Sequence, residues 1–152
     1  MGLSGVVGFL GCTGPRPAAD GGPTGASPVD FPILKERRAT FSRLSRPVRL
    51  VIRDAPTFAR LPLAEIDVDF DREMVLIVGL GPVQSDAFGI RITRVRRRGR
   101  RLDIEVETIR PEADTPVRRA LASPYHLVVV PRSDHNVVGF ESRVEAGLLG
   151  GR

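Results

Sequence analysis

Two short apolar runs limit what this chain can fold into. Met74 to Leu80 reads MVLIVGL, and Tyr125 to Val130 reads YHLVVV. Both are too short for an ordinary helix, both are rich in β-branched residues, and neither alternates with polar positions, so each reads as a strand covered on both faces. Gly79, Gly81 and Pro82 close the first run, and Pro131 closes the second. Two strands buried on both sides need material above and below them, which implies layers of β-structure around an aliphatic core. Composition agrees: hydrophobic residues make up 41%, aromatics only 5%, and Trp is absent.

The remaining segments supply the cover. Phe31 to Arg37 reads as a weak first strand. Pro47 to Arg53 (PVRLVIR) alternates, with Val48, Leu50 and Ile52 on one side and Arg49, Val51 and Arg53 on the other. That pattern marks a half-exposed strand. Asp54 is placed to cap a single helical turn that aims Phe58 and Leu61 inward. Gly89 to Ile109 reads as a hairpin, and side-chain polarity selects its register. With Arg97-Arg98-Gly99 as a three-residue loop, Ile90 faces Val106, Ile92 faces Ile104, Arg91 faces Glu105 and Thr93 faces Asp103. One face is then apolar, the other is paired in charge, and Gly99 occupies the left-handed loop position. Another short helical turn is expected around Val117 to Leu121, and a last strand at Asn136 to Phe140. The fold class expected is mainly β: a small antiparallel sandwich or open barrel with one or two short helical turns. With 152 residues the chain fits one such domain.

The segment before this domain has a different character. Residues 1–12 read MGLSGVVGFLGC, an apolar stretch ending in Cys12, the only cysteine. Residues 13–30 are dominated by Gly, Pro, Ala and Ser and read as a disordered linker. This arrangement resembles a bacterial lipoprotein signal in which Cys12 accepts the lipid, although no basic residue precedes the apolar stretch. The expected organisation is a signal segment at 1–12, a linker at 13–30, a β-rich domain at 31–143 and a flexible tail at 144–152. The expected location is the cell envelope, as a membrane-anchored lipoprotein or a periplasmic or secreted protein. A single cysteine permits no intrachain disulfide, and no Cys/His spacing suits zinc.

Four sets of residues invite a chemical reading, and each has a plainer one. Ser123, His126, Asp134 and His135 are of hydrolase type but lie outside any nucleophile motif; His126 sits within an apolar strand and reads as packed, and Asp134-His135 reads as a turn. Asp67, Asp69, Asp71 and Glu73 alternate with Ile66, Val68 and Phe70, which is a strand-like approach with acids on one solvated side and not a calcium loop. Gly79-Leu80-Gly81 follows a strand, but Gln84 stands where a dinucleotide loop needs its third glycine. Arg96 to Arg101 offers positive charge for phosphates, yet Asp103, Glu105 and Glu107 follow directly and no exposed aromatics interleave for base stacking. The net charge of +5 is almost entirely arginine, Lys35 being the only lysine. No catalytic residue, metal or cofactor is assigned from the sequence, and the chain is read as no enzyme.

Four blocks carry a family resemblance. They are Val51-Ile52-Arg53-Asp54 leading to Phe58; Val68-Asp69-Phe70-Asp71-Arg72-Glu73-Met74-Val75 running into the buried strand and Gly81; Phe88-Gly89-Ile90-Arg91-Ile92 with Leu102-Asp103-Ile104-Glu105-Val106; and Ser123-Pro124-Tyr125-His126-Leu127-Val128 ending in Val130-Pro131-Arg132. Over Val48 to Phe140 the chain resembles the C-terminal domain of the PrcB family, named for a protease-complex subunit. Relatives tend to carry a Gly-Gly-aromatic step where this chain has Asp86-Ala87-Phe88-Gly89, and many have Trp where Phe58 stands. The resemblance implies a small secreted or lipid-anchored protein that supports a protease without cutting peptides itself.

The function expected is an exported, lipid-anchored, non-catalytic accessory protein that contacts another protein, an exported protease being the candidate, and reaches the membrane through its anchor. The contact surface is expected at Gln84, Ser85, Asp86 and Phe88 in the loop Pro82 to Phe88, and at Arg97, Arg98 and Arg100 on the hairpin tip. Two alternatives stand beside this. One is a cytoplasmic basic domain binding nucleic acid, a partner that export would put out of reach. The other is a protease inhibitor whose end loops plug a cleft.

Overall fold

A computed structural model describes residues 27–63, 65–114 and 116–138. Among the described residues, ten strands and one helix follow in order: β1 (Val29–Asp30), β2 (Lys35–Ala39), β3 (Val48–Ile52), α1 (Ala55–Ala59), β4 (Glu73–Gly79), β5 (Val83–Ser85), β6 (Gly89–Arg98), β7 (Arg101–Ile109), β8 (Arg119–Ala122), β9 (Tyr125–Pro131) and β10 (Asn136–Val138). They form two four-stranded sheets, β1-β6-β7-β10 and β2-β9-β4-β3, and a small β5-β8 ribbon. The fold is mainly β, as expected, and it is a sandwich with no closed barrel.

The two apolar runs are the paired centre of the second sheet. β4 and β9 lie antiparallel, from Glu73 opposite Pro131 to Gly79 opposite Tyr125. Successive strand residues point to opposite faces, so each run builds two cores. Met74, Leu76, Val78, Val128 and Val130 meet Ile90, Ile92, Val95 and Leu102 of the first sheet. Val75, Ile77, Tyr125, Leu127 and Val129 join Val48, Leu50 and Ile52 on the other face. That face is covered by α1 and the segment after it, through Phe58, Leu61, Leu63, Ile66, Val68 and Phe70. Three layers therefore explain why neither run alternates. At about 1.5–3 kcal/mol for each fully buried aliphatic side chain, these strands carry much of the hydrophobic stabilisation.

Several local expectations hold, and others change for physical reasons. Asp54 caps α1, its carboxylate accepting the Thr57 N–H at 2.8 Å. The hairpin register differs from the one polarity selected. Its turn has only two central residues, Gly99 and Arg100, with Arg98 opposite Arg101. Gly99 has φ of 57°, the left-handed value a II′ turn requires at its first central position. Ile92 then faces Val106, Val95 faces Ile104, and Arg91 faces Glu107. The inward residues Ile92 and Val95 are three apart, and a bulge at Thr93 absorbs the odd residue. Polarity matching without a bulge forced the longer loop.

The helical turn expected at Val117 to Leu121 is instead strand β8, with Val83 opposite Ala122 and Ser85 opposite Arg119. Pairing with β5 overrides the helix preference of Arg, Ala and Leu. The strand expected at Phe31 to Arg37 begins only at Lys35, as β2. Phe31 donates to Val95 O in one sheet and Leu34 donates to Val129 O in the other, so this Pro-containing segment crosses between sheets. Val29 and Asp30, at the end of the stretch expected as linker, pair with Arg97 and Arg96. β10 runs parallel to β7. Cys12, the rest of the stretch expected to be a signal segment, Gly139-Phe140 and the tail lie outside the described residues.

Candidate functional site

The two long strands β6 and β9 run in the same direction, and this gives the sandwich two chemically different ends. Gly89 and Tyr125 start at one end, where Phe88, Ile109, Ala39 and Pro124 line a groove with them. Arg98 and Pro131 finish at the other, where Arg97 and Arg100 line a groove with Arg132. At about 3.3 Å per residue, β6 separates the ends by about 30 Å.

The expected contact residues divide between these ends, so the structure does not bring them together. Gln84 and Asp86 are exposed at the β5 end. Ser85 is buried at 3% exposure, and its Oγ accepts the Ala87 N–H, so it shapes the turn and presents no surface. Phe88 is half-buried. Two residues not singled out from the sequence stand out here: Leu121 is 79% exposed and Phe41 is 63% exposed. The Ser123 N–H to Thr40 O hydrogen bond brings their segments together. Gly81 supports this end: with φ of 69°, its absent Cβ would lie 2.5 Å from the Arg46 backbone.

At the opposite end, Arg97, Arg98 and Arg100 are all exposed. Arg98 and Arg101 approach Asp103 at 3.7 and 3.3 Å, and Arg96 lies 3.3 Å from Glu105. Asp30, brought in by β1, is 4.0 Å from Arg94 and 3.8 Å from Arg96. Among the described residues, Arg97 and Arg100 have no acidic partner. The loop after β9 completes this end. Arg53 donates to Ser133 O and His135 O, and Arg132 donates to Arg53 O and Phe70 O. These bonds hold the Arg132 charge in place beside the hairpin tip.

The hydrolase-type residues are also accounted for. Ser133 Oγ contacts His135 Nδ1 and accepts the His135 N–H, closing a local turn two residues long. Ser133 is buried, and the carboxylate beside it, Asp134, is exposed. Ser123 donates to Leu44 O and belongs to the opposite end. His126 is 2% exposed. Its Nδ1 accepts the Ile92 N–H across the two sheets at 2.9 Å, so its proton sits on Nε2. Nε2 stands 3.4 Å from Glu36 Oε2 but out of hydrogen-bond alignment, so that contact is electrostatic. Burial pushes the imidazole below its usual 6.5; Glu36 pulls the other way, and Arg38 and Arg91 add to the depression. His126 is a neutral strut between sheets. In the acidic stretch, Glu73 Oε2 accepts from Asp69 N–H and from Lys35 Nζ, so this one carboxylate ties a turn to β2.

Residues 74–131 match the PrcB C-terminal family model. This agrees with the resemblance read from the sequence. The match takes in β4 to β9, hence the hairpin and its basic tip, the β5-β8 ribbon and both apolar runs. Its limits leave out β1 to β3 and α1, where the first block of the resemblance lies. No curated protein and no solved structure matches the chain.

Proposed function

We propose that this protein is an exported, lipid-anchored, non-catalytic accessory subunit that contacts and supports a protease complex. The match of residues 74–131 to the PrcB C-terminal domain carries this reading, since the family takes its name from a protease-complex subunit. The local roles of His126 and of the Ser133–His135 turn are consistent with it, because each is committed to folding. The surface proposed for the protease partner is the end bearing Gln84, Asp86 and Phe88, extended by Leu121 and Phe41. An end that exposes large apolar side chains beside polar ones suits a protein partner. Most of it is built by the matched segment.

Affinity isolation of the full chain from its native membranes tests the complex. Co-isolation of a peptidase, lost with Phe88→Ser combined with Leu121→Ser, supports the reading. Isolation of the chain without a peptidase contradicts it. Mass spectrometry of the mature N-terminus tests the anchor. A diacylglyceryl group on Cys12 is expected, and an unmodified chain beginning at Met1 overturns that part.

A further inference from the structure

The basic end of the sandwich is not used by the contact proposed above. Arg97 and Arg100 face an open groove of about 560 Å³, with Arg132 and His135 on its far side and Phe31 along it. Asp134 is the one carboxylate that lines it. Aliphatic side chains surround this end and remain exposed: Val29 at 54%, Leu34 at 48% and Val138 at 39%. Val29 sits directly opposite Arg97 in the β1–β6 ladder, and Val138 sits opposite Asp103.

We infer that this end docks on the anionic headgroup layer of a membrane. Unpaired guanidinium groups attract lipid phosphates, and each basic residue near an anionic leaflet adds to binding. The neighbouring aliphatics fit the headgroup–acyl boundary, which offers charge and apolar contact together. A nucleic acid would use the arginines but offers little to Val29, Leu34 and Val138. Phe31, the one aromatic of the groove, is half-buried against the inter-sheet core, and no second aromatic lines the groove to stack successive bases.

The course of the chain adds a second argument, which rests on the anchor in the proposed function. The first described strand, β1, lies along Arg96 and Arg97, and sixteen residues separate it from Cys12. Such a segment spans at most about 50–60 Å. A lipid on Cys12 is therefore joined to the domain at its basic end, the end at which the arginines meet the bilayer. With the basic end docked, the opposite end points away from the membrane, toward the partner.

The test uses the full unacylated chain carrying Cys12→Ser, sedimented with phosphatidylglycerol-containing vesicles and with neutral phosphatidylcholine vesicles. Binding to the anionic vesicles only is expected, and it falls as salt rises. Arg97→Gln with Arg100→Gln should weaken it by about 25-fold, about fivefold for each charge. Arg118→Gln with Arg119→Gln, in and beside β8 at the other end, should leave it unchanged. Equal binding to neutral vesicles, equal loss with both arginine pairs, no binding to either vesicle, or tighter retention on single-stranded DNA than on vesicles would overturn the inference. Because neither acylation nor a protease is present, failure here leaves the accessory role standing, and failure of that role leaves this result standing.

Discussion

His126 accepts the backbone N–H of Ile92 at 2.9 Å, so one imidazole in the second sheet fixes the position of a strand in the first. β1 covers β6 only at Arg96 and Arg97, and this imidazole supplies an acceptor beyond its reach. Protonation of Nδ1 would place two donors against each other.

A pH dependence follows. The folded pKa of His126 is depressed by burial, so below pH 6.5 the unfolded chain binds the proton that the folded one refuses. This contribution to stability is complete above pH 6.5, is lost as pH falls from there through the folded value, and is flat below it. Urea melts across this range, compared with those of His126→Asn, isolate the effect. Asn keeps an acceptor but does not titrate, so its stability should fall less on acidification. His126→Ala should cost about 2–4 kcal/mol at pH 7.5, from an orphaned N–H and a cavity.

Much of the fold could be read from residue patterns, and the exceptions have a common cause. Met74 to Leu80 and Tyr125 to Val130 announced themselves as buried strands because burial on both faces leaves no polar positions. The Asp54 cap was readable for the same local reason. The hairpin register and β8 were not. A bulge at Thr93 changes which residues face each other without changing composition, and β8 is a strand because β5 lies beside it. The contact surface suffered most. Gln84 and Arg97 looked like parts of one surface, but the parallel course of β6 and β9 sets them at opposite ends. Arg132 and Phe41 entered the two ends through topology, which no local pattern encodes.

The two glycines with positive φ should respond differently to substitution. Gly99 has open space around its absent Cβ, so Gly99→Ala should cost only the left-handed backbone term, about 1–2 kcal/mol. Gly81→Ala adds a clash with the Arg46 backbone and should cost more. Thermal melts that rank the two the other way would mean that the Gly81 turn relaxes freely.

Core and surface leucines should separate as sharply. Leu76 is fully buried between the sheets, and Leu76→Ala should destabilise by about 2–5 kcal/mol. Leu121→Ala should change stability by no more than about 0.5 kcal/mol. A large loss of stability with Leu121→Ala would show that this side chain serves the fold and is not available for contact.

Site-specific photocrosslinking in living cells tests the central claim most directly, by placing a photoreactive residue at Phe88, at Leu121 or at Arg97 in turn. The account predicts that Phe88 and Leu121 crosslink to a protease subunit and that Arg97 does not. Protease adducts from Arg97 alone, or no protease adduct from any position, would contradict it.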